Sequence, residues 1–414
     1  MNIPFQFMKY LIPFFLLFSF TFCTNKSSNS KPQSPNKIEE NKPIDTLALT
    51  IKDTVPEIEK IIIEIDSIHT GFAYLISGLD KSYFNKAMVD SAFWVEYSKK
   101  VNKSFSKIKT ERLDKMTHWL DKETEGYNND TTMLFYPFSG ADFLHAYHFF
   151  PNANEYLLLA KEGIGEIPEI TSMANEDVAK YLNGVNFALR DIYKRSYFIT
   201  KNMRSDIKED QIEGLLPLFY WFIARTEHHI VEKNNVYINK KGEKAIMDSA
   251  SHEEAKSIKG VEFKIVKPGS EQIKTLTYFD CDISNKGFER NPEFKKFLDS
   301  KRVSNTFVKS ASYLMHYSTF SDIRNIVLNS SEFIIEDDTG IPFKYFDEKT
   351  WITRLHGVYE KPIKDFSKNR FQEDLEEAYK NAKYYVSEIP FSLGYHWGSD
   401  NQNQMTMKKK NENG

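Results

Sequence analysis

The pattern of apolar and polar positions changes character several times along the chain. An apolar run from Tyr10 to Phe22, 13 residues long, follows a single charge at Lys9 and stops at Cys23. Residues 24–45 then offer Ser, Asn, Lys and Pro and almost nothing to bury. From 56 onward apolar residues return every three or four positions. Ile58, Ile61, Ile62, Ile65, Ile68 and Phe72 share one face behind Pro56, a residue suited to a first turn, which predicts a helix. A second helical stretch is predicted over about 82–121.

At Thr131 the period shortens. Thr131–Phe138 reads as a strand ending in Pro137, Ser139-Gly140-Ala141-Asp142 opens a helix that runs to Phe150, and Glu155–Ala160 reads as a second strand. This is a β-α-β unit, the brick of a parallel sheet. Long helices are expected at about 174–204 and 209–232. The apolar stretch Leu215–Ala224 within the second is too short to span a bilayer, which needs about 20 residues. Strands and turns follow from 235 to 281, including Val261–Val266 and Ile273–Asp280. Helices are expected at about 291–298, 304–329 and 369–388, with strands at Glu332–Glu336 and Trp351–Tyr359. There are no internal repeats. The fold class is therefore mixed α/β (α+β): a sheet with β-α-β units flanked by helices, and a helical N-terminal portion.

The first apolar run has the length of a signal-peptide core. Ser19-Phe20-Thr21-Phe22-Cys23 resembles the site at which a bacterial lipoprotein is cleaved and lipidated, although Phe22 stands where a small residue is usual. A cleaved signal with an incidental cysteine is the alternative, and either Met1 or Met8 could be the start. The expected organisation is a signal over 1–23 with Cys23 as the lipid site, a flexible linker over 24–55, one mixed α/β domain over 56–400, and a disordered tail over 401–414. Only two cysteines exist, so lipid on Cys23 leaves Cys281 without an internal disulfide partner and the core must hold the fold alone. The formal net charge of −3, or −4 without Lys9, gives no basic field of the kind nucleic acid requires.

Candidate chemistry clusters at strand ends. Ser139 at a strand-to-helix turn invites comparison with the nucleophile elbow of α/β-hydrolases, but Pro137 and Ala141 occupy the positions of its glycines. A capping box, with Ser139 as the cap and Asp142 three residues on, is the simpler account; ligand binding at the helix start is a third. Asp142, His145 and His148 fall within about 120° of one helix face and could hold a divalent metal, with Arg225–His229 able to contribute only if the fold brings it near. The single Asp338-Thr339-Gly340 triplet lacks the second copy an aspartic protease needs, and reads as a turn. Ser139, Asp280 with Asp282, and Asp337 with Asp338 each sit just past the carboxyl end of an expected strand, where open α/β sheets bind ligands. Turn-forming by Asp and Ser accounts for the same pattern. Lys309, Ser312 and His316 are placed on one face of the helix expected over 304–329.

Two segments, FYPFSGADFLHAYHFFPNANEYLLL (135–159) and KSASYLMHYSTFSDIRNIVLNSSEFIIEDDTGIPFKYF (309–346), resemble those of an uncharacterised group of secreted bacterial proteins and lipoproteins. The resemblance rests on F-Y-P-F-S-G-x-D-F and D-D-[ST]-G-I-P, covers about a third of the chain, and implies one coherent domain without implying a reaction. The functional expectation is a membrane-anchored lipoprotein on the periplasmic or cell-surface side, meeting the membrane through its lipid and binding an envelope protein or small ligand. The alternative is a metal-assisted hydrolase that uses the strand-end carboxylates.

Overall fold

The structure, a computed structural model, describes residues 63–79, 86–123, 133–198, 212–247, 258–301, 305–366, 369–398 and 401–410. The signal, Cys23, the linker and the first turns of the helix expected from Pro56 lie outside the described residues. Eleven strands form one mixed sheet: β1 (Met133–Pro137), β2 (Glu155–Ala160), β3 (His229–Ile238), β4 (Lys244–Ile246), β5 (Lys259–Val266), β6 (Ile273–Asp280), β7 (Asn305–Val308), β8 (Phe333–Glu336), β9 (Trp351–Gly357), β10 (Val386–Ser387) and β11 (Asn403–Lys409). Their order is β10-β9-β11-β8-β7-β1-β2-β6-β5-β3-β4. The five central strands β8, β7, β1, β2 and β6 are mutually parallel.

Both faces of that central sheet are buried, as expected where helices cover a parallel sheet on each side. Successive β1 residues alternate between two cores. Leu134 and Tyr136 join one built with the helices Phe143–Phe149 and Leu216–Arg225, while Met133 and Phe135 join one built with Pro292–Ser300 and Ser321–Ser330. The link from β1 to β2 runs over the first face, and the helices between β6 and β7 and between β7 and β8 pack on the second. The direction of travel across the sheet therefore reverses between β1 and β7, which are hydrogen-bonded neighbours. In open α/β sheets such a reversal leaves a crevice at the carboxyl ends of the two strands.

The β-α-β unit lies where the sequence places it, with β2 spanning Glu155–Ala160. Leu216–Arg225 is a short buried helix with Pro217 in its first turn. Among the described residues no helix is long and apolar enough to cross a membrane.

Other boundaries differ from expectation, for identifiable reasons. The first helix starts at Ser67, where the Asp66 carboxylate caps the His69 N–H at 2.9 Å, and Ile68 is 77% exposed instead of lying on the buried face. The helix expected over 209–232 ends at Arg225, and His229 already begins β3. The helix expected over 304–329 begins as strand β7; only Ser321–Ser330 is α-helical, so Lys309, Ser312 and His316 do not share a helix face. The helix over 369–388 shrinks to Glu373–Lys380, followed by β10. The segment 401–414, expected as a disordered tail, supplies β11. That strand lies antiparallel between β8 and β9, and Met405 and Met407 are fully buried. Pairing on both sides, with an alternating Met-Thr-Met face, outweighs the polar composition that suggested a tail.

Candidate functional site

A cavity of about 670 Å³ opens at the switch between β1 and β7. Its floor comes from the residues that leave three parallel strands: Phe138 and Ser139 after β1, Lys161 after β2, and Lys309 and Ser310 after β7. Its walls are partly exposed side chains of three loops, among them Tyr197, Phe198, Phe366, Tyr395 and Trp397. Half-exposed aromatic rings gathered around one concavity are a usual mark of a binding site.

Beneath the floor lies a buried polar cluster. The Asp142 carboxylate caps the helix Phe143–Phe149 by accepting the His145 N–H at 3.2 Å. Asp142, not Ser139, is thus the N-cap; the Ser139 hydroxyl donates to the Gly140 carbonyl at 2.9 Å and the Leu159 carbonyl at 3.4 Å. A nucleophilic serine would donate instead to an imidazole or amine base. Asp142 Oδ1 lies 2.7 Å from His145 Nδ1, and its Oδ2 accepts from Lys309 Nζ at 2.5 Å and from the Tyr136 hydroxyl at 3.1 Å. Burial pushes the Asp142 carboxyl up, but His145 and Lys309 more than reverse this and hold it well below the ordinary range. Burial lowers His145 to about 3 against the pull of Asp142, so its ring is neutral at physiological pH. Since a carboxylate only accepts, the 2.7 Å contact puts the imidazole proton on Nδ1.

That assignment fixes the bonding of Lys309. Two of its N–H groups go to Asp142 and to the Ser196 carbonyl. His145 Nδ1, 3.3 Å away, already carries a proton and cannot accept. Lys309 is only 2% exposed yet lines the cavity, and its third N–H is left for whatever occupies that space. Arg112 reaches the region with its guanidinium bonded to the carbonyls of Ser392, Ile192 and Tyr193.

Removing Asp142 strands the Lys309 ammonium in a buried site. Asp142→Ala is expected to cost about 3–5 kcal/mol, and the double variant Asp142→Leu/Lys309→Met distinctly less, because it removes both charges. Urea unfolding of the three proteins reads both values. A single-variant cost below about 1 kcal/mol would show that the pair does not stabilise the fold.

The β8 turn braces the far wall. Asp337 Oδ2 accepts the Ser310 N–H at 3.0 Å, its Oδ1 accepts the Thr339 N–H at 3.0 Å, and Thr339 Oγ1 accepts the Ala311 N–H at 2.8 Å. Burial, then the charge of Asp338, raises Asp337 to about 6. Asp338 accepts from the Tyr313 hydroxyl at 2.5 Å and from Asn403 at 3.2 Å, and lies 3.0 Å from His396 Nε2. Gly394 passes so close that a Cβ there would lie 2.7 Å from Asp337 Oδ2; its φ of +68° lies in the left-handed region that favours glycine.

The other predicted site residues are dispersed. β8 and β6 lie four strand spacings apart, roughly 19 Å at about 4.8 Å each, so Asp338 and Asp280 cannot both touch one small ligand, and Ser139 sits between them. Asp282 is taken up by the Ser284 N–H at 3.0 Å and by Lys161 and Arg290 at 3.1 and 2.8 Å. His148 Nδ1 lies 3.3 Å from Thr117 Oγ1, on a different partner from Asp142 and His145. His228 packs edge-on against Tyr147, with ring centres 4.9 Å apart. Among the described residues, no three His, Cys, Asp or Glu side chains converge as a cation site.

The backbone singles out the same place. Seven non-glycine residues among those described adopt a positive φ; three of them, Phe138, Ser310 and Ser312, line the cavity, and a fourth, Ser196, accepts from Lys309 at its floor. Each such conformation costs on the order of 1 kcal/mol or more and persists only where the surroundings impose it. Ser196, Arg112 and His396 escape sequence reasoning, since they come from separate elements with no shared spacing; Lys309 is visible in the sequence but expected on a helix, where the structure has the end of β7. No protein-family model, curated protein or solved structure matches the chain.

Proposed function

We propose that the protein is a cell-envelope lipoprotein, anchored through Cys23, that binds a small organic ligand in the cavity between β1 and β7. The observation that carries this reading is the concentration of strained backbone around one aromatic-lined cavity at the switch of a parallel sheet. A binding role is favoured over hydrolysis because Ser139 donates to carbonyls, while Asp337 is taken up by the N–H groups of Thr339 and Ser310 and Asp282 by the Ser284 N–H, Lys161 and Arg290. The anchor rests on the signal pattern ahead of Cys23, and is checked by mass spectrometry of the mature N-terminus. Diacylglycerol on Cys23, lost in Cys23→Ala, is the expected result; an unlipidated N-terminus would make the protein simply secreted.

The ligand reading is tested by melting the protein against a small-molecule library. Leu314, partly exposed on the cavity wall, offers a place to fill the space without touching the core. A true ligand at a hundredfold excess over its Kd stabilises the wild type by about 2.7 kcal/mol. Leu314→Trp is expected to fold and to lose that shift. A ligand that stabilises both proteins equally would place binding elsewhere and overturn the proposal.

A further inference from the structure

We infer that the occupant of this cavity is a neutral saccharide, one or two rings in size, held by Lys309 and the strand-end serines with its C–H faces against the Tyr395 group of aromatics; this rests on the ligand-binding reading above. The argument starts from charge. Each cation named in the lining already faces a carboxylate: Lys309 lies 2.5 Å from Asp142, Lys161 3.1 Å from Asp282, and Arg195 3.8 Å from Asp191. At the buried floor an anionic ligand would meet a Lys309 charge that Asp142 already balances, and burying an unmatched charge there is costly; Lys161, which shares Asp282 with Arg290, lies at the exposed rim.

A purely apolar ligand fails for the opposite reason. It would leave the third Lys309 N–H without an acceptor, and also the Ser310 hydroxyl, which is buried and has no hydrogen-bond partner among the described residues. Unmade bonds of that kind cost about 1–3 kcal/mol each. Ser139 Oγ and the paired hydroxyls of Ser312 and Tyr395, 2.7 Å apart, extend the polar strip. The occupant must therefore carry several uncharged donors and acceptors.

It must also present flat apolar surface. Tyr395 is flanked by Tyr197 and Phe366, with ring centres 4.6 and 5.5 Å away, and Trp397 follows two residues on. The negative faces of such rings attract weakly positive C–H groups. A pyranose has hydroxyls around its edge and C–H bonds on its faces, which matches a polar strip set beside aromatic planes. A space of about 670 Å³ falls within the range of small-ligand sites.

The test uses the purified protein with an array of neutral mono- and oligosaccharides, alongside benzoate and inorganic phosphate. Trp397 is the tryptophan in the lining, whereas Trp94, Trp119, Trp221 and Trp351 are each at most 4% exposed, so a change in emission on adding ligand reports on the cavity. Melting temperature is the second readout, and Trp397→Phe checks that the optical signal comes from that ring. The expected result is saturable binding of at least one neutral saccharide, at least tenfold weaker in Tyr395→Ala and abolished in Leu314→Trp. If benzoate or phosphate binds with that cavity dependence and no saccharide does, the saccharide assignment falls while the ligand-binding reading stands. If nothing in any class binds in a way that Leu314→Trp abolishes, both fall.

Discussion

Truncation after residue 400 is expected to yield a chain with no cooperative unfolding transition. β11 pairs with β9 along seven residues and with β8 along four, so its loss opens two internal edges and detaches β9 and β10 from the parallel sheet. Met405 and Met407, both fully buried, leave with it; large buried side chains cost about 2–5 kcal/mol each when truncated. Asn403 also goes, and with it a donor to the Asp338 side chain and the acceptor of the Asp338 N–H. The sum approaches the whole stability of a typical domain, about 5–15 kcal/mol. Truncation after Lys410 keeps β11 intact and is the matched control. Circular dichroism melts of the two proteins decide the matter: a cooperative transition at an unchanged temperature in the shorter one would show that β11 is dispensable.

The second large effect is acid destabilisation above the range where most carboxylates titrate. Burial lowers His145, His228 and His356 to about 3, and His148 and His316 to about 4. Below pH 6.5 the unfolded chain therefore takes up to five protons that the folded chain refuses, and stability falls as pH falls. Two groups work the other way: Asp337, raised to about 6, and Glu336, raised by burial, hold protons in the folded state that the unfolded state releases. The net is about three protons, or about 4 kcal/mol of stability lost per pH unit between pH 6 and 5. His396 differs from the other five. Burial opposes its charge, but Asp338 and Asp337 raise it, so its contribution is present at low pH and fades as pH rises through its folded value. Stability should therefore peak near neutrality. Urea unfolding at pH 7, 6 and 5 measures the slope, and a flat profile would mean that these imidazoles are solvated.

Much of the central sheet was readable because its signals are local. β1, the helix after it and β2 stand out through apolar runs bounded by Pro137, Pro151 and a polar turn, and EFIIEDDTG marks the end of β8 in the same way. The recurring motif of an apolar run followed by polar residues led to Ser139, Asp142 and Asp337 at the carboxyl ends of parallel strands. It is also present at β7, where Asn305-Thr306-Phe307-Val308 precedes Lys309-Ser310. Four residues are too few for periodicity to separate strand from helix, and the following Ala311, Leu314 and Met315 mimic helical spacing. The backbone instead turns through positive φ at Ser310, Ser312 and Tyr313, which composition does not announce. Lys309 was consequently noticed and misplaced. Capping at Asp142 in place of Ser139 reflects where the helix begins, three residues later than the turn. β11 was illegible for another reason: its burial comes from β8 and β9, and its own residues are mostly polar. Arg112 and Ser196 reach the cluster from separate helical segments, so no spacing rule could have joined them to Asp142.

Localising a bound ligand tests the central claim most directly. A crystal structure of the protein with the strongest binder from the melting experiment is predicted to show it between Lys309, Ser310 and the Tyr395 ring, at the carboxyl ends of β1 and β7, with the third Lys309 N–H donating to it. Ligand density on any other surface, with this cavity holding only solvent, would contradict the account.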